Sequence, residues 1–311
     1  MQLGLMTEPQ TGGTYNQLLE LARWAEARGL DSFARSDHYL AGTTSAHATD
    51  ALTTLAGLAR DTERIQLAVM VTPLTFRHPA VIAKTAATID EMSGGRFALG
   101  VGAGWMETEH DTFGIDLPAL HERFGRLAET LGYVRAAFSG SQGFPGERYG
   151  LRPVEVLPQP TGELPIIIGG AGMRLTPTLA GRFADEYNMF ACETEIFERR
   201  TAVMRDAASA SGRDPEEIAV SFAAPTVVAG TEDGFRRLVA GRAARRGVTP
   251  DEYLDLLRVR NIPHGTPEQA ADVLRQIAAM GVAKTYLHEP EPLENVDTTK
   301  IGAIVAAAFA D

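Results

Sequence analysis

The sequence holds one cysteine, Cys192, so no disulfide can form within the chain, and the disulfide-stapled secreted scaffolds are excluded. Lysine is almost as scarce. Lys84, Lys284 and Lys300 are all there is, and none ends a predicted strand, where the Schiff-base lysine of a barrel aldolase would project into its site. Apolar runs never approach the ~20 residues that span a bilayer, and the opening MQLGLMTEPQ lacks the cationic and apolar segments of a leader. We therefore expect no membrane contact and a cytoplasmic chain. Cations are outnumbered, 29 Lys and Arg against 40 Asp and Glu, for a formal charge of −11. That balance repels phosphate backbones unless the basic residues are segregated, and no basic patch is visible, which argues against a nucleic-acid partner. The seven histidines are scattered without H-x-H or H-E-x-x-H spacing, so we assign no metal site.

What is present is an alternation of two hydrophobic periods. Short β-rich runs at residues 2–8, 30–37, 65–73 and 96–104 are separated by stretches of helical period, at a spacing of roughly 30 residues, the length of a βα unit. Residues 15–28 place Leu18, Leu19, Leu21, Ala22 and Ala25 on one face and stop at Gly29, suited to a left-handed cap. The helix at 80–92 ends on the Ser93–Gly94–Gly95 breaker. A longer helix at 118–138 is followed by a glycine- and proline-rich excursion, 139–165. Strands at 165–170, 185–190, 218–229 and 283–289 then alternate with helices, two of them consecutive at 231–260. Eight strands in βα order without a composition break predict one (β/α)₈ TIM barrel over residues 1–311, with insertions after strand 4 (139–165) and strand 7 (231–263). A two-domain Rossmann arrangement would need G-x-G-x-x-G, and Gly100–Val101–Gly102–Ala103–Gly104–Trp105 fails at its last position.

Barrel chemistry sits at the C-terminal ends of strands. Strand 2 ends in Ser36–Asp37–His38–Tyr39; adjacent strand residues face opposite ways, so the strand must end or bend if Asp37 and His38 are to share a site. An imidazole there exchanges a proton near neutral pH, and a carboxylate orients it or anchors a ligand, while a loop histidine bonded to a nearby carbonyl is the plain alternative. Strand 3 ends at Thr72–Pro73, a sharp turn over a pocket floor or simple termination. Strand 4 runs into Gly100–Trp105, and strand 5 into Gly169–Gly170–Ala171–Gly172–Met173 ahead of a helix. Small residues allow close backbone approach and a helix N-terminus offers N–H groups to an anion, so two such loops on adjacent strands suit a phosphate-bearing ligand, while glycines in any one barrel loop more often serve turn geometry. Asn188 meets a ligand or satisfies buried backbone. Glu107, Glu109 and His110 read as solvated loop charge with acid–base potential, Arg199, Arg200 and Arg205 as a solvated helix face, and Cys192 as a small buried residue.

Taken in order, LGLM, GLDSFARSDHYL, VTPLTFRHPAVIAKTAATIDEMSGGRFALGVGAGWMETEH, PIIIGGAG, LAGRFADEYN and GTPEQAADVLRQIAAMGV resemble the luciferase-like monooxygenase superfamily over nearly the whole chain. Within it, S-D-H-Y at Ser36–Tyr39 is similar to the branch using the deazaflavin coenzyme F420. The resemblance implies a TIM barrel, a homodimer, and a hydride-transferring oxidoreductase acting on a small carbonyl, imine or activated alkene. It implies that Asp37 and His38 contact the deazaflavin or the substrate, with His38 donating or accepting the proton, and that Val69, Met70 and Thr72 back the ring, with a non-proline cis bond at Val69–Met70. Ala103, Gly104, Gly169, Gly170, Ala171, Gly172 and Met173 would hold the ribityl and phosphate portion, and Trp105, Glu109 and Asn188 would line a substrate pocket. One departure stands out: sugar-phosphate dehydrogenases of this branch carry a catalytic carboxylate where this sequence has Trp105, and their phosphate-binding lysines are not evident, which argues against glucose 6-phosphate. Trp105 would instead form an apolar wall or pack into the core. The alternatives are an FMN-dependent monooxygenase and a non-catalytic flavin-binding barrel.

Overall fold

The computed structural model describes residues 1–40, 48–139, 144, 146–152 and 157–310. Of the expected insertion 139–165, residues 140–143, 145 and 153–156 therefore lie outside the described residues, as do loop residues 41–47 and Asp311. Eight parallel strands close into a barrel: β1 (Gln2–Thr7), β2 (Ser32–Arg35), β3 (Gln66–Pro73), β4 (Phe97–Gly102), β5 (Ile166–Gly169), β6 (Glu186–Phe190), β7 (Ala219–Pro225) and, after two short strands, β10 (Lys284–Glu289), which pairs with both β7 and β1. Helices α1 (Tyr15–Ala27), α2 (Ala51–Asp61), α3 (Pro79–Ser93), α4 (Glu107–Phe113), α5 (Leu120–Phe138), α6 (Leu175–Phe183), α7 (Thr194–Ala210), α8 (Glu232–Arg246), α9 (Pro250–Val259), α10 (Pro267–Ala279) and α11 (Thr298–Ala308) accompany them. No helix among the described residues is long and apolar enough to cross a membrane.

Local signals account for most boundaries. Thr14 and Gln17 form a capping box on α1, satisfying donors that an isolated helix start leaves open, and Gly29 behind it takes φ +77°. His78 caps α3 with Pro79 at its first position, and Gly94 ends it in the left-handed region. The apolar faces of these helices pack on outward-facing strand residues such as Leu3, Leu5, Phe33, Leu67, Val69, Leu99 and Phe222, all inaccessible to solvent.

The strand predicted over 218–229 divides in two. Pro225 has no N–H to continue the ladder, and the chain turns out of the barrel into β8 (Val227–Val228), which pairs with β9 (His264–Gly265). The segment between them, α8 and α9, packs on a small core of its own: Val227, Phe235, Val239, Ala243, Tyr253, Leu257 and Ile262.

Inside the barrel, inward-facing residues form layers. Near the N-terminal end Lys284 Nζ lies 3.3 Å from Glu186 Oε2 and 2.9 Å from Gln66 Oε1, while Ser221 Oγ donates to Glu186 Oε1 at 2.6 Å. Above this polar floor sit Met6, Ala34, Ala68, Ala98, Ile167, Ala223 and Tyr286. Small alanines dominate that layer, which leaves room at the C-terminal mouth.

Candidate active site at the C-terminal mouth

A cavity of about 920 Å³ opens at that mouth, within the range that takes a cofactor or drug-sized ligand. Its floor is set by a bulge. The β3–β4 register runs Val69↔Leu99 and then Thr72↔Val101, so one extra residue is accommodated on β3 and Met70 and Val71 both project inward. The non-proline cis peptide bond is Met70–Val71, one residue beyond the expected Val69–Met70. Two other expectations change with it: Val69 points outward into the barrel–helix core, and the Thr72 hydroxyl accepts from Arg77 Nη1 at 2.8 Å, so neither lines the cavity, whereas Val71 does. The glycines around Val71 make the close approach possible. A Cβ on Gly102 would lie 2.7 Å from Val71 Cγ2, and one on Gly169 would lie 2.9 Å from Cγ1.

β2 stops at Arg35, and the next residues separate the expected catalytic pair. His38 faces the cavity. Asp37 is 1% exposed and turns the other way, where Arg77 Nη1 meets its Oδ2 at 2.5 Å. The same guanidinium binds Asp50 and donates to Tyr39 OH at 3.2 Å, tying the loop to α2 and α3. Burial would raise the Asp50 carboxyl, but the Thr53 N–H and the Arg77 charge hold it at about 2. Asp37 therefore fixes the loop that carries His38 and touches no ligand space.

The partner His38 does have is Glu109. It sits on α4, a short helix where the sequence predicts a solvated loop, and it is 1% exposed, as is His110. Glu109 Oε2 is 3.1 Å from His38 Nδ1, and Oε1 accepts from the Tyr39 N–H and, at 3.1 Å, the Leu40 N–H. Burial alone would raise this carboxyl. The hydrogen bond from His38 and the backbone N–H groups outweigh it, leaving the pKa below the ordinary range. An acceptor at Nδ1 selects the tautomer protonated there and leaves Nε2 as the exchanging nitrogen. His110 is held separately, Nδ1 against Met106 O and Nε2 against Thr75 Oγ1, both at 2.7 Å. Trp105 is a rim residue, 67% exposed, with its ring edge-on to His38 at 5.7 Å, so the core-packing option is excluded.

Opposite these residues lies the loop from Gly169 to Thr176. Gly169, Gly170, Ala171, Gly172 and Met173 all line the cavity, as expected, joined by Arg174, Leu175 and Thr176; Ala103 and Gly104 line it from the loop after β4, and Asn188 from β6. No side chain caps α6, and the N–H groups of Gly172 to Thr176 donate to no group among the described residues. Such a helix start is a ready site for an anion. Sequence reasoning passed over a second pair. Glu8, on the cavity wall, accepts from His288 Nε2 at 2.8 Å and from Gln10 at 3.0 Å. The signal for His288 was the inward alternation Lys284, Tyr286, His288 along β10.

The sequence profile of the luciferase-like monooxygenase family matches residues 1–284. The chain belongs to that family. An F420-dependent glucose-6-phosphate dehydrogenase of Microbacterium testaceum (strain StLB037) is 34% identical over 208 residues, 65% of this chain and 61% of that protein, so the likeness spans less than two thirds of the relative's length. Among solved structures of the family fold, an F420-dependent secondary alcohol dehydrogenase in complex with an F420-acetone adduct superimposes with a TM-score of 0.81 at 20% identity over 99% of each chain. A monooxygenase from Streptomyces bottropensis gives 0.77 at 22% over 99% of this chain and 97% of its own. At those identities the two structures establish the shared barrel and no more.

Proposed function

We propose that this family member is an F420-dependent oxidoreductase that moves a hydride between the deazaflavin and a small carbonyl, imine or activated alkene. One observation carries the reading: a single cavity sets an imidazole, an apolar bulge and a row of backbone N–H groups without acceptors among the described residues around one ligand-sized space. A planar ring would rest on Met70 and Val71, its phosphate on the Gly169–Thr176 loop; the residues fit such a group in shape and in donor chemistry. When bound, a deazaflavin supplies two-electron hydride chemistry at a ring carbon.

The chain's own part is to orient and to handle one proton. His38 Nε2 donates to or accepts from the substrate oxygen or nitrogen, and Glu109 stabilises the imidazolium when the proton is on the ring. Trp105 and Phe190 give the cavity lining exposed aromatic surface. The cavity lining holds no lysine and one arginine, Arg174, and an indole flanks His38; these features support a substrate with an apolar flank over a sugar phosphate. The resemblance adds a homodimer to the proposal, and the composition adds cytoplasmic residence; sedimentation velocity tests the first.

Titration with oxidised F420 and with FMN, side by side and followed by ligand fluorescence, tests the cofactor. Tight F420 binding with weak FMN binding supports the reading. A preference for FMN would favour the monooxygenase alternative, and F420 binding without turnover of any carbonyl, imine or alkene would favour a non-catalytic barrel.

A further inference from the structure

Among the described residues, Arg35 and Arg200 are the two most buried arginines, at 0% and 9% exposure. Arg35 has Asp37 and Asp50 within Coulombic reach. Arg200, which the sequence places on a solvated helix face, has no carboxylate paired with it: its Nη2 donates to Ala171 O at 2.5 Å and its Nε to Met173 Sδ at 3.3 Å. Its neighbour Arg199 shows the expected behaviour, 64% exposed at the side chain and 4.0 Å from Glu195. A guanidinium keeps its proton in proteins, and burying one without a counter-charge is costly unless something on the far side of its contacts is negative.

Those contacts are the back of the loop whose front faces the cavity. Arg200 holds the Ala171 carbonyl from outside the cavity lining, and the N–H groups of Gly172 to Thr176, on residues that line the cavity, meet no acceptor among the described residues. Two sources of positive potential, the guanidinium behind and the uncapped start of α6 in front, thus act on the same few residues. We infer that Arg200 is a positioning residue for the phosphate of the bound cofactor, and that this phosphate is the counter-charge the buried guanidinium lacks. The inference rests on the cofactor reading above and deepens it: recognition of the phosphorylated over the unphosphorylated ring system depends on a side chain outside the cavity lining.

The test uses 5-deaza-FMN and 5-deazariboflavin, which differ only by the phosphate, with the wild-type chain, Arg200→Met and Arg200→Lys. Wild type is expected to prefer the phosphorylated ligand. Arg200→Met should reduce that preference about five- to fiftyfold while leaving 5-deazariboflavin affinity within about twofold, and Arg200→Lys, which keeps the charge, should retain most of it. Added salt should shrink the difference between wild type and Arg200→Met. Equal losses on both ligands, equal losses in both variants, or an unaltered preference in Arg200→Met would each overturn the inference and leave the cofactor reading standing. Failure of the wild-type chain to bind F420 or either analogue would overturn that reading itself, and this inference with it.

Discussion

The two ends of the barrel interior use the same kinds of side chain and reach opposite results. At the N-terminal floor, Lys284, Glu186, Gln66 and Ser221 satisfy one another in a closed network, and Asn188 Nδ2 joins it by donating to Ser221 Oγ at 2.9 Å. At the C-terminal mouth, His38 and Glu109 satisfy only one side of the imidazole, and the other nitrogen is left to the cavity. A polar group whose valences are all filled by the fold can only hold the fold. One with a valence left over can meet a ligand. The same contrast separates neighbours: Asp37 is fully engaged by Arg77, and His38 beside it is not.

The sharpest break of this contrast is His38→Ala. If the free nitrogen carries the proton, turnover should fall by ~10²–10⁴ with F420 affinity nearly intact, measured by steady-state rates beside a binding titration. An unchanged rate would remove His38 from the chemistry. Next comes the floor, where Lys284→Met strands a buried carboxylate and should cost about 3–5 kcal/mol in a urea melt, and the double replacement Lys284→Met with Glu186→Leu should recover much of that. If the single variant is as stable as wild type, the floor network does not depend on the Lys284–Glu186 pair. The smallest effect concerns Glu109→Gln. The Glu109 carboxyl lies below its ordinary range in the folded chain, so its contribution to stability is present above the unfolded value and is lost as the pH falls through the folded one. The variant should therefore show a flatter acid limb of stability against pH, and a rate lowered by about tenfold as His38 loses its orienting partner. A wild-type acid limb in the variant would exclude Glu109 as a source of that pH dependence.

Periodicity made the barrel legible because a βα unit writes two different hydrophobic repeats into about 30 residues, and the closed order follows from eight of them. The glycine loop after β5 was legible for the same kind of reason: Gly169, Gly170 and Gly172 have no side chain to pack, which marks a close backbone turn, and the structure places all three on the cavity wall. Side-chain direction was not. Asp37 against His38, and Val69 and Thr72 against Val71, depend on where a strand stops or a bulge falls, and one residue of shift reverses every assignment beyond it. Glu109 and His110 were misread as solvated because the α4 turn is too short for an amphipathic repeat to appear. Arg200 was misread because helix spacing shows which face a residue is on but not that a loop lies over it.

The short ribbon of β8 and β9 has a further consequence. It draws the two ends of the segment carrying α8 and α9 side by side, and that segment has its own apolar nucleus. Residues between the ribbon strands are therefore expected to tolerate changes of length, since closing a longer excursion across a fixed base costs little additional entropy, provided the contacts of Arg242 with Thr226 O and of Asn261 with Cys192 O are kept. In the vocabulary of protein engineering, the barrel offers there a clamped cassette, open to recombination while the scaffold beneath keeps its register.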